Sequence, residues 1–222
     1  MVAKIPPSSN ASANLTYLSH LAKTTTAIKS KLTPPQLSMF RKTVFGHLLD
    51  LDLVFNVSLI HKILLREIED SSTPNTISFN LFGSKVLFRR REFDIISGLK
   101  YDRSPVRKDT SPHRLRALYF NDSNDILLSD FEKIYIVTRF EDDFDAAKIS
   151  IVYLMELVLL GRERTLKYDY TLLGIVDDCE TCCNHDWGMM SFDKTIYSLK
   201  RGPTKRSKDG GFRKLYSLYG FP

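Results

Sequence analysis

At 222 residues, with 43% hydrophobic and 11% aromatic residues, the chain has the size and apolar content of one domain with a real core; that composition excludes a disordered protein. The longest apolar run, residues 149–160, includes Glu156 and falls short of the roughly 20 residues a membrane helix needs, and the N-terminal MVAKIPPSSNAS lacks the apolar stretch of a secretory signal. The net charge of +6 lies past residue 199, where seven bases face one acid, so residues 1–199 balance to zero.

Residues 1–14 are rich in Pro, Ser and Asn and read as a disordered tail before a single domain over 15–222. Leu15, Leu18, Leu21, Ala22 and Ile28 mark a weakly amphipathic helix over 15–31, and Thr33-Pro34-Pro35 reads as an N-cap with prolines in the next first turn. Leu59, Ile60, Ile63, Leu64 and Ile68 form one stripe of a helix over 57–68, with Ser58 as its expected cap. The period then drops to two: Ile77, Phe79 and Leu81 alternate with polar residues, Gly83-Ser84 turns, and Val86 and Phe88 resume, which predicts a β-hairpin near 76–89.

Helical spacing returns over 90–99, with Gly98 as the stop. Residues 100–113 read as a charged, proline-bearing loop, followed by helices over 114–120, 130–139, 145–160, 170–182 and 191–201. The acids at 141–145 suit the positive end of a helix better than a magnesium or acid–base site. Residues 201–211 read as a flexible basic loop before an aromatic C-terminal stretch. The fold class expected is α+β, predominantly α-helical, with that one hairpin.

Four blocks set large rings beside a glycine: FRKTVFGHLLDL (40–51), REFDIISGLKY (91–101), DWGMMSF (186–192) and LYSLYGFP (215–222). Such pairing suits close packing at helix ends and tight turns. No block unites a nucleophile, a base and an orienter, as a catalytic site requires. Cys179, Cys182, Cys183 and His185 are metal-like in type, but the second ligand pair of a zinc site is missing. The same cluster is a weak cysteine-peptidase candidate. The odd, clustered cysteine count is a poor disulfide framework. No phosphate-cradling glycine motif is present, and neither a cofactor, a metal nor a small-molecule ligand is indicated. Lys200, Arg201, Lys205, Arg206 and Lys208 form a basic segment open to three readings: a solvated loop, a nuclear import signal or a nucleic-acid contact.

With those blocks in place, the chain resembles a plant-specific family built on domain of unknown function 1985. The resemblance runs over about residues 37–222. It is carried by FRKTVFGHLLDL, ISFNLFGSKVLFRRREFDIISGLKY, ISIVYLMELVLLG, IVDDCETCCNHDWGMMSFDKTIYSLK and LYSLYGFP, in that order. Such domains commonly occur in large, often transposon-derived plant proteins with a C-terminal ubiquitin-like (SUMO-type) protease domain. The resemblance implies no assigned chemistry, with any peptidase activity in a separate domain. Family members usually continue past the YGFP block into another apolar helix, so the expectation here is a chain truncated at its C-terminus. The resulting expectation is an intracellular, non-catalytic interaction or accessory module with a protein partner. A nuclear nucleic-acid-binding module and a cysteine-peptidase fragment are the alternatives.

Overall fold

The computed structural model describes residues 3–4, 14–69, 75–99, 114–202 and 215–221. Its centre is the helix that the sequence makes apolar on every side. Asp142 caps it by accepting the Asp145 N–H at 2.9 Å, it runs Asp143–Leu154, and it continues as one π turn, Met155–Leu159. From 149 to 161 every residue is buried. In the π turn Leu160 N–H reaches back to Met155 O at 2.7 Å, and the Ser191 hydroxyl donates to Leu159 O at 2.8 Å. A serine from a neighbouring helix thus satisfies a carbonyl at the turn's end.

In chain order the elements are β1 (Asn14–Tyr17), α1 (Leu21–Lys31), α2 (Pro34–Arg41), a 3-10 turn (Gly46–Asp50), α3 (Val57–Leu64), β2 (Ile77–Leu81), β3 (Ser84–Phe88), α4 (Arg90–Ser97), α5 (Arg114–Phe120), α6 (Leu128–Val137), α7 (Asp143–Leu154), α8 (Thr171–Asp177), α9 (Cys179–Asn184), α10 (Trp187–Arg201) and β4 (Leu215–Leu218). Helices α1, α2 and α8 pack on α7. Gln36 of α2 donates to Asp143 at 2.9 Å across that contact. Stacked rings fill the far side, with Tyr135 over Tyr153 at 4.1 Å and Phe131 between Phe120 and Tyr168 at 5.2 Å from each. Among the described residues no helix is long and apolar enough to cross a membrane.

The predominantly helical α+β reading holds, and β2–β3 form the expected antiparallel hairpin, with Ile77 opposite Phe88 and Leu81 opposite Ser84. A second pairing is new. β1 lies parallel to β4, from Asn14 opposite Leu215 to Tyr17 opposite Leu218. It shortens the helix expected over 15–31: its first three residues are taken by a strand partner two hundred positions away, and α1 runs Leu21–Lys31. The helix expected over 57–68 stops at Leu64. Residues 66–68 instead extend along β2, with Ile68 N–H on Ser78 O and Asn80 N–H on Arg66 O, both at 2.9 Å. Its cap is Asn56, accepting Leu59 N–H at 3.0 Å, not Ser58.

The helix expected over 170–182 is two helices, broken at Asp178, whose extended backbone lets its carboxylate cap Thr181 N–H at 2.6 Å. The helix expected over 130–139 runs Leu128–Val137, and α10 starts at Trp187, four residues before its expected start, on the Asp186 cap. The loop expected at 100–113 and residues 203–211 of the loop expected at 201–211 lie outside the described residues, as do residues 1–2 and 5–13 of the expected tail. Ala3 and Lys4 pair with the 67–68 segment: Lys4 N–H donates to Glu67 O at 2.9 Å, and its ammonium meets the Glu67 carboxylate at 2.7 Å.

Candidate functional site

The two residue groups singled out by sequence do not converge. Lys200 and Arg201 sit in the last turn of α10. The Lys4 ammonium donates to Lys200 O at 3.4 Å, and burial lowers the Lys200 pKa. Arg201 donates to the Tyr197 hydroxyl at 2.6 Å and lies over that ring at 5.0 Å. Lys205, Arg206 and Lys208 lie outside the described residues.

Cys179, Cys182 and Cys183 lie one turn apart on α9, with Cys179 and Cys183 exposed and Cys182 partly covered. Burial, reinforced by the neighbouring thiols, pushes the Cys182 thiol up to about 12, far from the lowered pKa of a working nucleophile. His185 is buried beyond the helix end. Its ring packs edge-on against Trp187 at 4.4 Å and its Nε2 lies 3.1 Å from Met190 Sδ. Burial lowers its pKa, so the imidazole stays neutral. Trp187 donates from its indole to Cys182 O at 2.9 Å, anchoring the start of α10 as its position suggests. Among the described residues no three His, Cys, Asp or Glu side chains are placed to hold a metal ion.

A concave feature among the described residues lies elsewhere. A pocket of about 280 Å³ opens between β1, the 51–56 segment, α3, the end of β3, α4 and the C-terminal residues. One wall is Tyr17, stacked flat on Phe55 with ring centres 3.9 Å apart. The opposite wall is Phe88 and Phe93, which meet edge-on at 6.5 Å and rest on Phe192 of α10 at 6.3 and 5.6 Å. Ile60 of α3 and Phe221 complete the lining, and Leu53, Val54 and Ile96 stand at the rim with 57, 89 and 75% of their surfaces open to solvent.

An ion cluster beneath the wall fixes α4. Arg90, largely buried, donates through Nε to Asp94 at 2.6 Å and through Nη2 to Asp186 at 2.6 Å. Asp186 also caps α10 by accepting Met189 N–H at 2.9 Å. One arginine therefore sets the end of α10 against the helix that carries Phe93 and Ile96. Gly188 makes room for it, since a Cβ there would stand 2.6 Å from Arg90 Nη2. At the other end Gly220 holds Phe221 in place. Its φ is +79°, a Cβ would lie 2.7 Å from the Thr195 backbone, and Phe221 N–H donates to Thr195 Oγ1 at 2.8 Å.

Among the described residues no charged side chain lines the pocket. The Ser97 carbonyl is already bonded to His47 Nε2 at 2.8 Å, and burial raises the Tyr17 phenol so that it stays neutral. The described lining of the pocket offers shape and apolar contact, without an acid–base or nucleophilic pair among those residues. Sequence reasoning missed it because its lining comes from six separate segments. The one local signal was Leu53-Val54-Phe55, an apolar triplet without helical or strand period.

The chain matches the model of a domain of unknown function, DUF1985, over residues 64–198. No curated protein and no solved structure matches it. The matched span holds β2, β3, α4, most of α10 and the whole α7 core, and it supplies one wall of the pocket. It covers more than half of the chain, which is therefore a member of the DUF1985 family.

Proposed function

We propose that this domain is a non-catalytic interaction module that seats a bulky apolar side chain of a protein partner in the pocket between α3 and α4. The single observation behind the reading is an apolar, ring-lined concavity whose rim residues stay open to water. Soluble proteins rarely leave such a surface uncovered without a use. At about 280 Å³ the pocket lies at or below the low end of the roughly 300–1,000 Å³ typical of small-molecule sites. It also lacks the placed polar groups that orient a cofactor or substrate. A hydrophobic anchor surrounded by a water-excluding rim is the arrangement that dominates protein–protein affinity. The family resemblance adds the expected setting: an accessory domain of a plant protein whose peptidase chemistry belongs to a separate ubiquitin-like-protease domain.

Peptides selected on the domain from a random display library test this reading. Binders are expected to share one bulky apolar residue and to lose at least about tenfold in affinity, or 1.4 kcal/mol, to the Ile96→Lys variant. Selected peptides that bind Ile96→Lys equally well would exclude the pocket. Duplex DNA binding that weakens steeply with salt and vanishes when Lys205, Arg206 and Lys208 become Ala would install the nucleic-acid reading instead.

A further inference from the structure

The tip of the β2–β3 hairpin carries an aromatic ring with no place in its own fold. Phe82 and Gly83 form the two-residue turn, at φ of +53° and +83°. A turn with both central residues at positive φ is built for Asn-Gly, and a phenylalanine in the first position meets the steric penalty of the left-handed region. Burial does not offset that penalty, because Phe82 is fully exposed. Backbone and packing both disfavour the residue, so the ring points to an external role.

The same hairpin ends at Phe88 in the wall of the apolar pocket. The tip is six positions from that wall, roughly 20 Å along the strand, so Phe82 cannot reach its own pocket. A second copy can reach it. Two hairpins lying side by side in opposite directions bring each tip to the other's pocket. Val86, on the same face of β3 as Phe88 and itself exposed, lies between the two contacts. The arrangement is closed and self-complementary, as a two-fold interface must be.

We propose that the domain self-associates as a two-fold dimer in which Phe82 of each copy seats in the pocket of the other. The inference rests on reading the pocket as an anchor site and names a second copy of this chain as its partner. Sedimentation equilibrium over a concentration series tests it with three proteins: the unaltered chain, Phe82→Asn, which relieves the turn, and Val54→Asp, at a rim position open enough to leave the fold intact. The unaltered chain is expected to reach twice the monomer mass. Each variant is expected to associate at least about tenfold more weakly while keeping its circular dichroism spectrum. An equimolar mixture of the two variants regains association, because each mixed pair retains one ring and one pocket. A chain that stays monomeric up to about 1 mM overturns the proposal. So does a dimer that survives Phe82→Asn, or one lost in Phe82→Asn but untouched by Val54→Asp. Selected peptides that bind the pocket of a monomeric chain would leave the anchor-site reading standing and remove only self-association.

Discussion

Helix α7 with its π turn and helix α3 are both strongly apolar, and they meet opposite fates. Residues 149–161 are buried without interruption, whereas α3 buries Leu64 alone and leaves Val57 and Leu59 exposed. The difference is legible in the arrangement of the residues, not in their number. A helix apolar on every side has no face to offer water and must lie inside. A helix with one apolar stripe needs only one neighbour, and that neighbour is either the protein's own core or something outside it. In α3 the stripe is half met, by β1 and β2; Ile60 of it lines the pocket, and Val57 and Leu59 stay open to water. The contrast divides residues that hold the fold from residues that present a surface.

Removing a side chain from each helix tests that division. Leu154 is fully buried in α7, so Leu154→Ala should cost about 2–5 kcal/mol, from lost apolar burial and the cavity left behind. Urea unfolding monitored by circular dichroism reads this as a lower midpoint with an unchanged slope. A loss below about 1 kcal/mol would mean that the centre of the core collapses readily around the gap and that α7 is not its organising element.

The buried helix also holds one carboxylate whose titration separates the regions. Glu156 is fully buried in the π turn, where Arg162 Nη1 donates to both its oxygens at 3.0 and 3.1 Å and Asp169 N–H donates at 2.5 Å. Tyr168, Asp169 and Lys194 complete the titratable groups around it. Burial outweighs these donors and pushes its pKa up from 4.5 to about 7. Between those values the folded chain holds a proton that the unfolded chain has lost, so stability falls as pH rises through that window, by on the order of 2–3 kcal/mol. Glu156→Gln keeps the acceptor and removes the titration. The stability difference between the two proteins should therefore shift in favour of the variant from pH 4.5 to 7 and stay flat above. His20 and His185, with lowered pKa values, push the other way in both proteins and cancel in the difference. A difference that does not change with pH would show that Arg162 and Asp169 hold the carboxylate ionised throughout.

Local chemistry was readable in the sequence, and pairings across the chain were not. Alternation about Gly83 gave the hairpin, the left-handed Gly98 ends α4, and the acids before Asp145 start α7. The strand β1 was hidden because its partner, β4, enters two hundred residues later, and nothing in NLTY marks it apart from a weak helix. Asp178 was read as part of one long helix because an aspartate is equally at home on a helix surface and at a cap. Cys179, Cys182, Cys183 and His185 drew notice by residue type, yet the fold covers the thiol of Cys182 and turns His185 against Trp187 and Met190. The pocket drew none, because Tyr17, Phe55, Phe93 and Phe221 become neighbours only once the ends of the chain are paired.

The smallest expected effect is the sharpest test of the contrast. Leu59 lies on α3 with just over half of its surface in water. Leu59→Ala removes little buried area and exchanges one good helix former for another, so the isolated chain should change by no more than about 0.5 kcal/mol. The measurement gains its force from repetition at several protein concentrations. A surface that stays in water gives the same small number throughout. A face covered by a second copy gives a loss that grows with concentration, because association stabilises the folded state by mass action and the variant forfeits part of that gain. A large loss already present at high dilution would place α3 with α7, as a helix that the core itself requires.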